Sequence, residues 1–212
     1  MEIKTFYFNP LRVCCYVVWD ETGECVIIDP GFDGDGEFSR LVRFVEENSL
    51  KPVRILLTHS HFDHVLGLER ASRYWNIEVC GSTLDSRNLE MTPRYCAMMG
   101  LTSEPFTGEV HNLAEGDKVS FGSTELEVFS TPGHSPGGLC YFNRSESSIF
   151  TGDTLFCGSI GRSDLDGGDL DILMESIGQK LMPLDGEVRV FPGHGPGTTI
   201  GYERATNPFI VR

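Results

Sequence analysis

Polar and apolar positions along the chain fall into a series of short blocks. Residues 3–8, 13–19 and 25–28 are rich in β-branched, aromatic and aliphatic side chains, and Asp20-Glu21-Thr22-Gly23 between the last two has the composition of a tight turn. These blocks predict three consecutive strands. Beyond Asp29-Pro30-Gly31, a glycine-rich stretch to Gly36 leads into a segment with Phe38, Leu41, Val42 and Val45 on one face and charges on the other. That spacing is the mark of an amphipathic helix. A strand over 53–57, a helix over 65–75 and a short strand over 77–80 follow. Between 81 and 116 regularity falls. Residues 84–90 are compatible with a helix, and the remainder mixes Pro93, Gly100, Pro105 and Gly108 with Met91, Met98 and Met99. Such a long connection reads either as a cover over a site, with Met98 or Met99 lending it apolar surface, or as a surface excursion. Next, 119–121 and 126–130 predict a hairpin about Gly122-Ser123-Thr124, and 139–142 with 149–150 predict another. A helix over 169–181 precedes a last strand over 188–191.

The two halves repeat one plan. Each offers several strands, then a helix, then a strand with a histidine at its C-terminal end: His59 in the first half, His194 in the second. Two sheets packed face to face with helices outside would bury every apolar face and bring the strand ends to one edge. An α/β (α+β) sandwich forming one domain over residues 1–212 is therefore expected.

Candidate chemistry sits at those strand ends. The strand over 53–57 runs into Thr58-His59-Ser60-His61-Phe62-Asp63-His64, which holds three of the chain's six histidines. Neutral imidazoles and carboxylates suit zinc and its first-row neighbours. His59 and His61 are two apart on a segment leaving a strand, so their side chains can point the same way. Asp63 and His64 follow one turn later, and the segment can thus offer two pairs of ligands to two adjacent metals. The same grammar, an apolar strand, a turn residue and a metal-competent side chain, recurs at Thr131-Pro132-Gly133-His134, Thr151-Gly152-Asp153 and Pro192-Gly193-His194. Asp29 is either a further ligand or a carboxylate that orders its turn and supports a neighbouring ligand. His111 has no partner motif and reads as a surface or core histidine.

Composition narrows the function. A net charge of −14 repels phosphate backbones, so nucleic acid is not expected as a partner. No apolar run approaches the roughly 20 residues needed to span a bilayer, and Met1-Glu2-Ile3-Lys4 lacks a signal-peptide plan. A cytoplasmic location with no membrane partner is expected. The seven cysteines show no C-x-x-C spacing and read as reduced core thiols.

With these residues assembled, the chain resembles the metallo-β-lactamase superfamily, matching its motifs in order at Asp29, His59-x-His61-x-Asp63-His64, His134, Asp153 and His194. The segments about His134, Asp153 and His194 resemble the hydroxyacylglutathione hydrolases, or type II glyoxalases, in a short single-domain form. The resemblance implies a four-layer αββα sandwich. It also implies one metal on His59, His61 and His134, a second on Asp63, His64 and His194, and Asp153 bridging them. Zinc is the expected metal, with iron or manganese as alternatives. The implied reaction is hydrolysis of a small-molecule thioester such as S-D-lactoylglutathione by a metal-bridging hydroxide, with Asp63 orienting it and taking up its proton. Arg162 stands where those enzymes carry a lysine that holds the peptide part of the substrate. A salt bridge to Asp164 or Asp166 is the other reading of Arg162. Two features depart from the longer glyoxalases: Gly195-Pro196-Gly197 follows His194 in place of a nearby tyrosine, and no C-terminal helical domain is expected. Gly161-Arg162-Ser163-Asp164 also resembles persulfide dioxygenases, which hold a single iron, and a lactonase or other ester hydrolase fits the same fold.

Overall fold

The computed structural model describes residues 1–211. Its first sheet runs in sequence order: β1 (Glu2–Phe8), β2 (Val13–Trp19), β3 (Glu24–Ile28), β4 (Lys51–Leu56), β5 (Glu78–Gly81) and β6 (Val110–Asn112). The hairpins β1–β2–β3 are antiparallel, and β3 to β6 are parallel, joined by crossovers. β2 is buried along nearly its whole length because both of its faces are covered. Val13, Cys15 and Val17 meet the outer helices, whereas Cys14, Tyr16 and Val18 meet the second sheet.

Helices α1 (Gly34–Glu47), α2 (Phe62–Val65) and α3 (Leu68–Trp75) belong to the first half. α1 buries Phe38, Leu41 and Val45, as its periodicity predicts. The helix expected over 65–75 is broken in two at Leu66-Gly67. At the break Gly67 N donates outside the helix to the Pro30 carbonyl at 3.0 Å, and a Cβ at Gly67 would lie 2.5 Å from the Phe32 ring. α4 (Ser86–Met98) overturns the expectation of irregular structure beyond residue 90, for it runs through Pro93. Packing of Leu89 and the buried Thr92 and Cys96 outweighs the one backbone donor that proline lacks.

The second sheet has the order β14-β13-β10-β9-β8-β7. Its members are β7 (Lys118–Phe121), β8 (Thr124–Ser130), β9 (Leu139–Asn143) and β10 (Ser148–Gly152), then, after a small ribbon of β11 (Leu155–Phe156) and β12 (Ser159–Ile160), β13 (Arg189–Pro192) and β14 (Thr198–Thr199). α5 (Leu170–Ser176) continues as a wider turn over Ile177–Leu181, and α6 (Ile200–Thr206) follows β14. Between the sheets lie Tyr16, Val26, Ile28, Leu56, Leu126, Val128, Tyr141 and Phe150, while Leu173, Ile177, Leu181 and Ile200 cover the outer face of the second sheet. Helix, sheet, sheet, helix is the expected four-layer order.

Six of the cysteines are buried, in accord with core thiols, but Cys157 is exposed in the turn of the β11–β12 ribbon. His111 lies exposed on β6. Among the described residues no helix is long and apolar enough to cross a membrane.

Candidate metal centre

The C-terminal ends of β3, β4, β8, β10 and β13 gather at one edge of the sandwich; β4 delivers four of the singled-out residues and each of the others delivers one. The lone pairs of these side chains can be placed by following where their N–H groups go. His134 Nδ1 lies 2.7 Å from the carbonyl oxygen of Arg162 and donates to it, so the lone pair is on Nε2. Thr58 Oγ1 donates to Asp29 Oδ2 at 2.6 Å and is left to accept from His59 Nδ1 at 3.1 Å. His64 Nδ1 donates to Asp29 Oδ2 at 2.9 Å, and His194 Nδ1 to the Leu11 carbonyl at 3.2 Å. Four imidazoles thus anchor their N–H groups outward and turn their Nε2 lone pairs inward.

Those inward atoms form two groups. His134 Nε2 is 2.8 Å from His61 Nδ1 and 3.2 Å from His59 Nε2. Asp63 Oδ2 is 3.0 Å from His194 Nε2 and 3.8 Å from His64 Nε2. Within each trio the ligand-capable atoms all lie within 4.8 Å of one another. Asp153 stands between them, with Oδ2 3.5 Å from His134 Nε2 and 3.8 Å from His194 Nε2, and Oδ1 3.3 Å from His64 Nε2. Glycines make this approach possible: a Cβ at Gly193 would fall 2.2 Å from Asp153 Oδ1, and one at Gly152 would fall 2.4 Å from Thr58 Oγ1.

Lone pairs converging on lone pairs demand something positive. Among the described residues, His64 Nε2 and Asp153 Oδ1 are the buried side-chain polar atoms with no hydrogen-bond partner. Burial works against charge on His64, yet the carboxylates of Asp153, Asp63 and Asp29 outweigh it and push its pKa up. Burial and the neighbouring imidazoles push His59 down, and burial with His134 takes His61 down to about 4. One extra proton on His64 would relieve the carboxylates alone. Cations relieve both the carboxylates and the facing neutral imidazoles, and the donor set of nitrogen and carboxylate oxygen is one that divalent metals accept.

Asp29 could join His59 and His64 by distance alone. Its oxygens, however, already accept from Thr58 N at 2.8 Å, from Thr58 Oγ1 and from His64 Nδ1. The supporting role is the one the geometry fits. Its backbone sits at φ +51°, a left-handed turn at the end of β3.

A cleft of about 350 Å³ opens over the two groups and is lined by His61, Asp63, His134, Asp153 and His194 at its floor. Leu11, Phe62, Asn88, Tyr95 and Leu165 form its walls, with Arg162 and Asp166 also lining it. Residues 81–116 therefore border the mouth as expected, through Asn88 and Tyr95 of α4. Met98 and Met99 do not line it and stand 73 % and 57 % exposed at the far end of that helix. Nothing in the pattern marks Asn88 or Tyr95 beforehand: Asn88 lies in the helix expected over 84–90, and the position of Tyr95 depends on α4 continuing through Pro93. Arg162 makes a two-pronged ion pair with Asp164 at 2.7 and 2.9 Å, and Asp166 pairs with Arg87 at 3.0 Å.

Comparison with known proteins places this geometry in context. The profile described as "Metallo-beta-lactamase superfamily" matches residues 9–194. Hydroxyacylglutathione hydrolase GloC of Haemophilus influenzae is 36% identical over 212 residues, covering 99% of this chain and 98% of that protein. Among solved structures, BLEG-1 B3 metallo-beta-lactamase superposes with a TM-score of 0.89 at 36% identity, covering 100% of both chains. TTHA1623, solved in a di-iron-bound form, superposes with a TM-score of 0.87 at 37% identity, covering 97% of this chain and 99% of that one.

Proposed function

The chain belongs to the metallo-beta-lactamase superfamily, and from that premise we propose that it is a two-metal hydrolase that cleaves a small thioester, with a hydroxyacylglutathione as the candidate substrate. One observation carries the two-metal reading: two trios of inward-facing donor atoms share a single carboxylate between them. His59, His61 and His134 would hold one divalent ion, Asp63, His64 and His194 the other, and Asp153 both. When bound, such a pair acidifies water and polarises a carbonyl.

The chain's own side chains do the rest. Asp29 and Thr58 keep the N–H groups of His64 and His59 turned outward. Asp63 faces both the second trio and the cleft, so a carboxylate oxygen there can take the proton of an attacking water and return it to the leaving thiolate. The apolar walls at Leu11, Phe62, Tyr95 and Leu165 exclude water from the acyl group and hold it over the floor. Arg162, at the rim, meets a charged portion of the substrate by exchanging its partner Asp164 for it. Zinc and iron both suit this donor set. The thioester reading draws on the likeness to GloC; the likeness to BLEG-1 makes a lactam the substrate to exclude.

Metal analysis of the purified protein, beside assays with S-D-lactoylglutathione, a β-lactam, and oxygen uptake with glutathione persulfide, tests the proposal. Two ions per chain and thioester turnover are expected. A single iron with oxygen consumption and no thioester hydrolysis would overturn it in favour of a dioxygenase.

A further inference from the structure

Asp85 is a carboxylate that the reaction does not touch and the folding of its own helix does not use. It ends a 3-10 turn (Thr83–Asp85) and occupies the N-cap position of α4, where aspartate normally accepts from the helix's free N–H groups. Its side chain makes no such bond. Instead it points into the protein, 1 % exposed, and accepts three hydrogen bonds. Ser60 N donates to Oδ2 at 3.0 Å, Ser135 Oγ to Oδ2 at 2.9 Å, and Gly137 N to Oδ1 at 2.7 Å. Ser60 separates His59 from His61, and Ser135 follows His134 directly. A Cβ at Gly137 would lie 2.7 Å from the Asp85 carboxyl carbon, so the second loop has a glycine where the carboxylate enters.

All three donors belong to the two loops that carry His59, His61 and His134, and none to α2, which carries Asp63 and His64, or to the loop that carries His194. The backbone bond from Leu139 N to the Thr58 carbonyl, 2.7 Å long, joins the same loops further back. Asp85 ties them beside the imidazoles themselves. We propose that Asp85 is a positioning residue for the first metal group alone, holding its three histidines at the spacing that a cation requires. It is the counterpart of Asp29, which grips Thr58 and His64 from the other side. This inference rests on the two-metal reading above.

The substitution Asp85→Asn makes the test sharp. With its oxygen toward Ser60 and Ser135, the amide would set its NH₂ against Gly137 N–H; turned over, it would set NH₂ against Ser60 N–H. The Ser135 hydroxyl can rotate to accept, but a backbone N–H cannot, so one of the two backbone donors is always left without its acceptor and the tie between the loops is weakened. Zinc binding by metal-free protein is measured in competition with a chromophoric chelator. Two backgrounds isolate the sites: His194→Ala leaves the first group to report, and His134→Ala leaves the second. Adding Asp85→Asn should weaken zinc binding about 10- to 100-fold in the His194→Ala background, the range for loss of a ligand's outer partner, and leave it unchanged in the other. Equal weakening in both backgrounds, or none in either, overturns the proposal. Failure of the unsubstituted protein to bind two zinc ions overturns the two-metal reading instead. If Asp85→Asn does not fold, Ser135→Ala decides, since it removes one of the three bonds and should show the same asymmetry at smaller amplitude; symmetry there is equally fatal.

Discussion

Replacing Asp29 by asparagine exchanges one oxygen for an NH₂ in a site where every neighbour is a donor, and the consequence can be followed atom by atom. Thr58 N, Thr58 Oγ1 and His64 Nδ1 all give hydrogen to this carboxylate, which is 1 % exposed. With the amide oxygen kept toward Thr58 N, the NH₂ takes the place of Oδ2 and faces His64 Nδ1–H. The reverse orientation leaves the Thr58 backbone N–H buried and unpaired, at about 1–3 kcal/mol. A backbone N–H cannot move its hydrogen, whereas an imidazole can. His64 therefore shifts its proton from Nδ1 to Nε2, where Asp153 Oδ1, 3.3 Å away, will accept it. The lone pair intended for a metal is then lost. Loss of a ligand's outer partner weakens metal binding about 10- to 100-fold, or about 1.4–2.7 kcal/mol. Nitrogen-resolved NMR of the zinc-loaded variant identifies which ring nitrogen of His64 carries hydrogen, and a zinc titration gives the affinity. An Nδ1–H tautomer with both ions bound at the strength of the unsubstituted protein would refute the reasoning.

Other substitutions separate the remaining roles. Asp153→Ala should lose one metal and most of the rate together, because its two oxygens face both groups; metal content and kcat on the same sample check this, and full activity would contradict it. Arg162→Ala should raise KM with kcat little changed, since His134 leans on the Arg162 backbone carbonyl and not on its side chain. Asp164→Ala should lower KM for an anionic substrate by releasing the guanidinium, and a rise there would show that the ion pair itself shapes the cleft. At the end of the sandwich opposite the site, Asp20 joins the β2–β3 turn to the β7–β8 turn through Thr22, Ser123 and Thr124. Burial opposes its ionisation, but the hydrogen bonds from Thr22 and Ser123 prevail and hold its pKa well below the usual carboxylate range. Its contribution is thus present above about pH 4, the unfolded value, and is lost as pH falls toward the folded one. Asp20→Asn should lower unfolding free energy by about 2 kcal/mol at neutral pH and reduce the acid dependence of Tm; an unchanged acid limb would show that other groups govern it.

The legible and illegible parts of this chain differ in the range of the forces behind them. Each strand is marked by its own burial, as alternation in β7 and as an unbroken buried run in β2 and in the pair that flanks the 143–148 turn, so these elements can be read locally. The metal-competent residues are equally legible because a strand end, a small turn residue and a ligand are adjacent in sequence. What escapes is decided by residues far apart. α4 passes Pro93 because Leu89, Thr92 and Cys96 find partners elsewhere in the fold, and only that continuation carries Tyr95 to the cleft beside Phe62. The periodic helix breaks at Gly67, whose N–H goes to the Pro30 carbonyl and whose missing Cβ leaves room for the ring of Phe32, partners more than 30 positions earlier. The same distinction explains why candidate ligands can be named from sequence while supports such as Thr58 and Asp85 cannot. A ligand must be histidine or a carboxylate and so stands out by chemistry. A support such as Thr58 or Asp85 need only accept or relay a hydrogen bond at the right place, a task that many residue types perform and that only the assembled fold assigns.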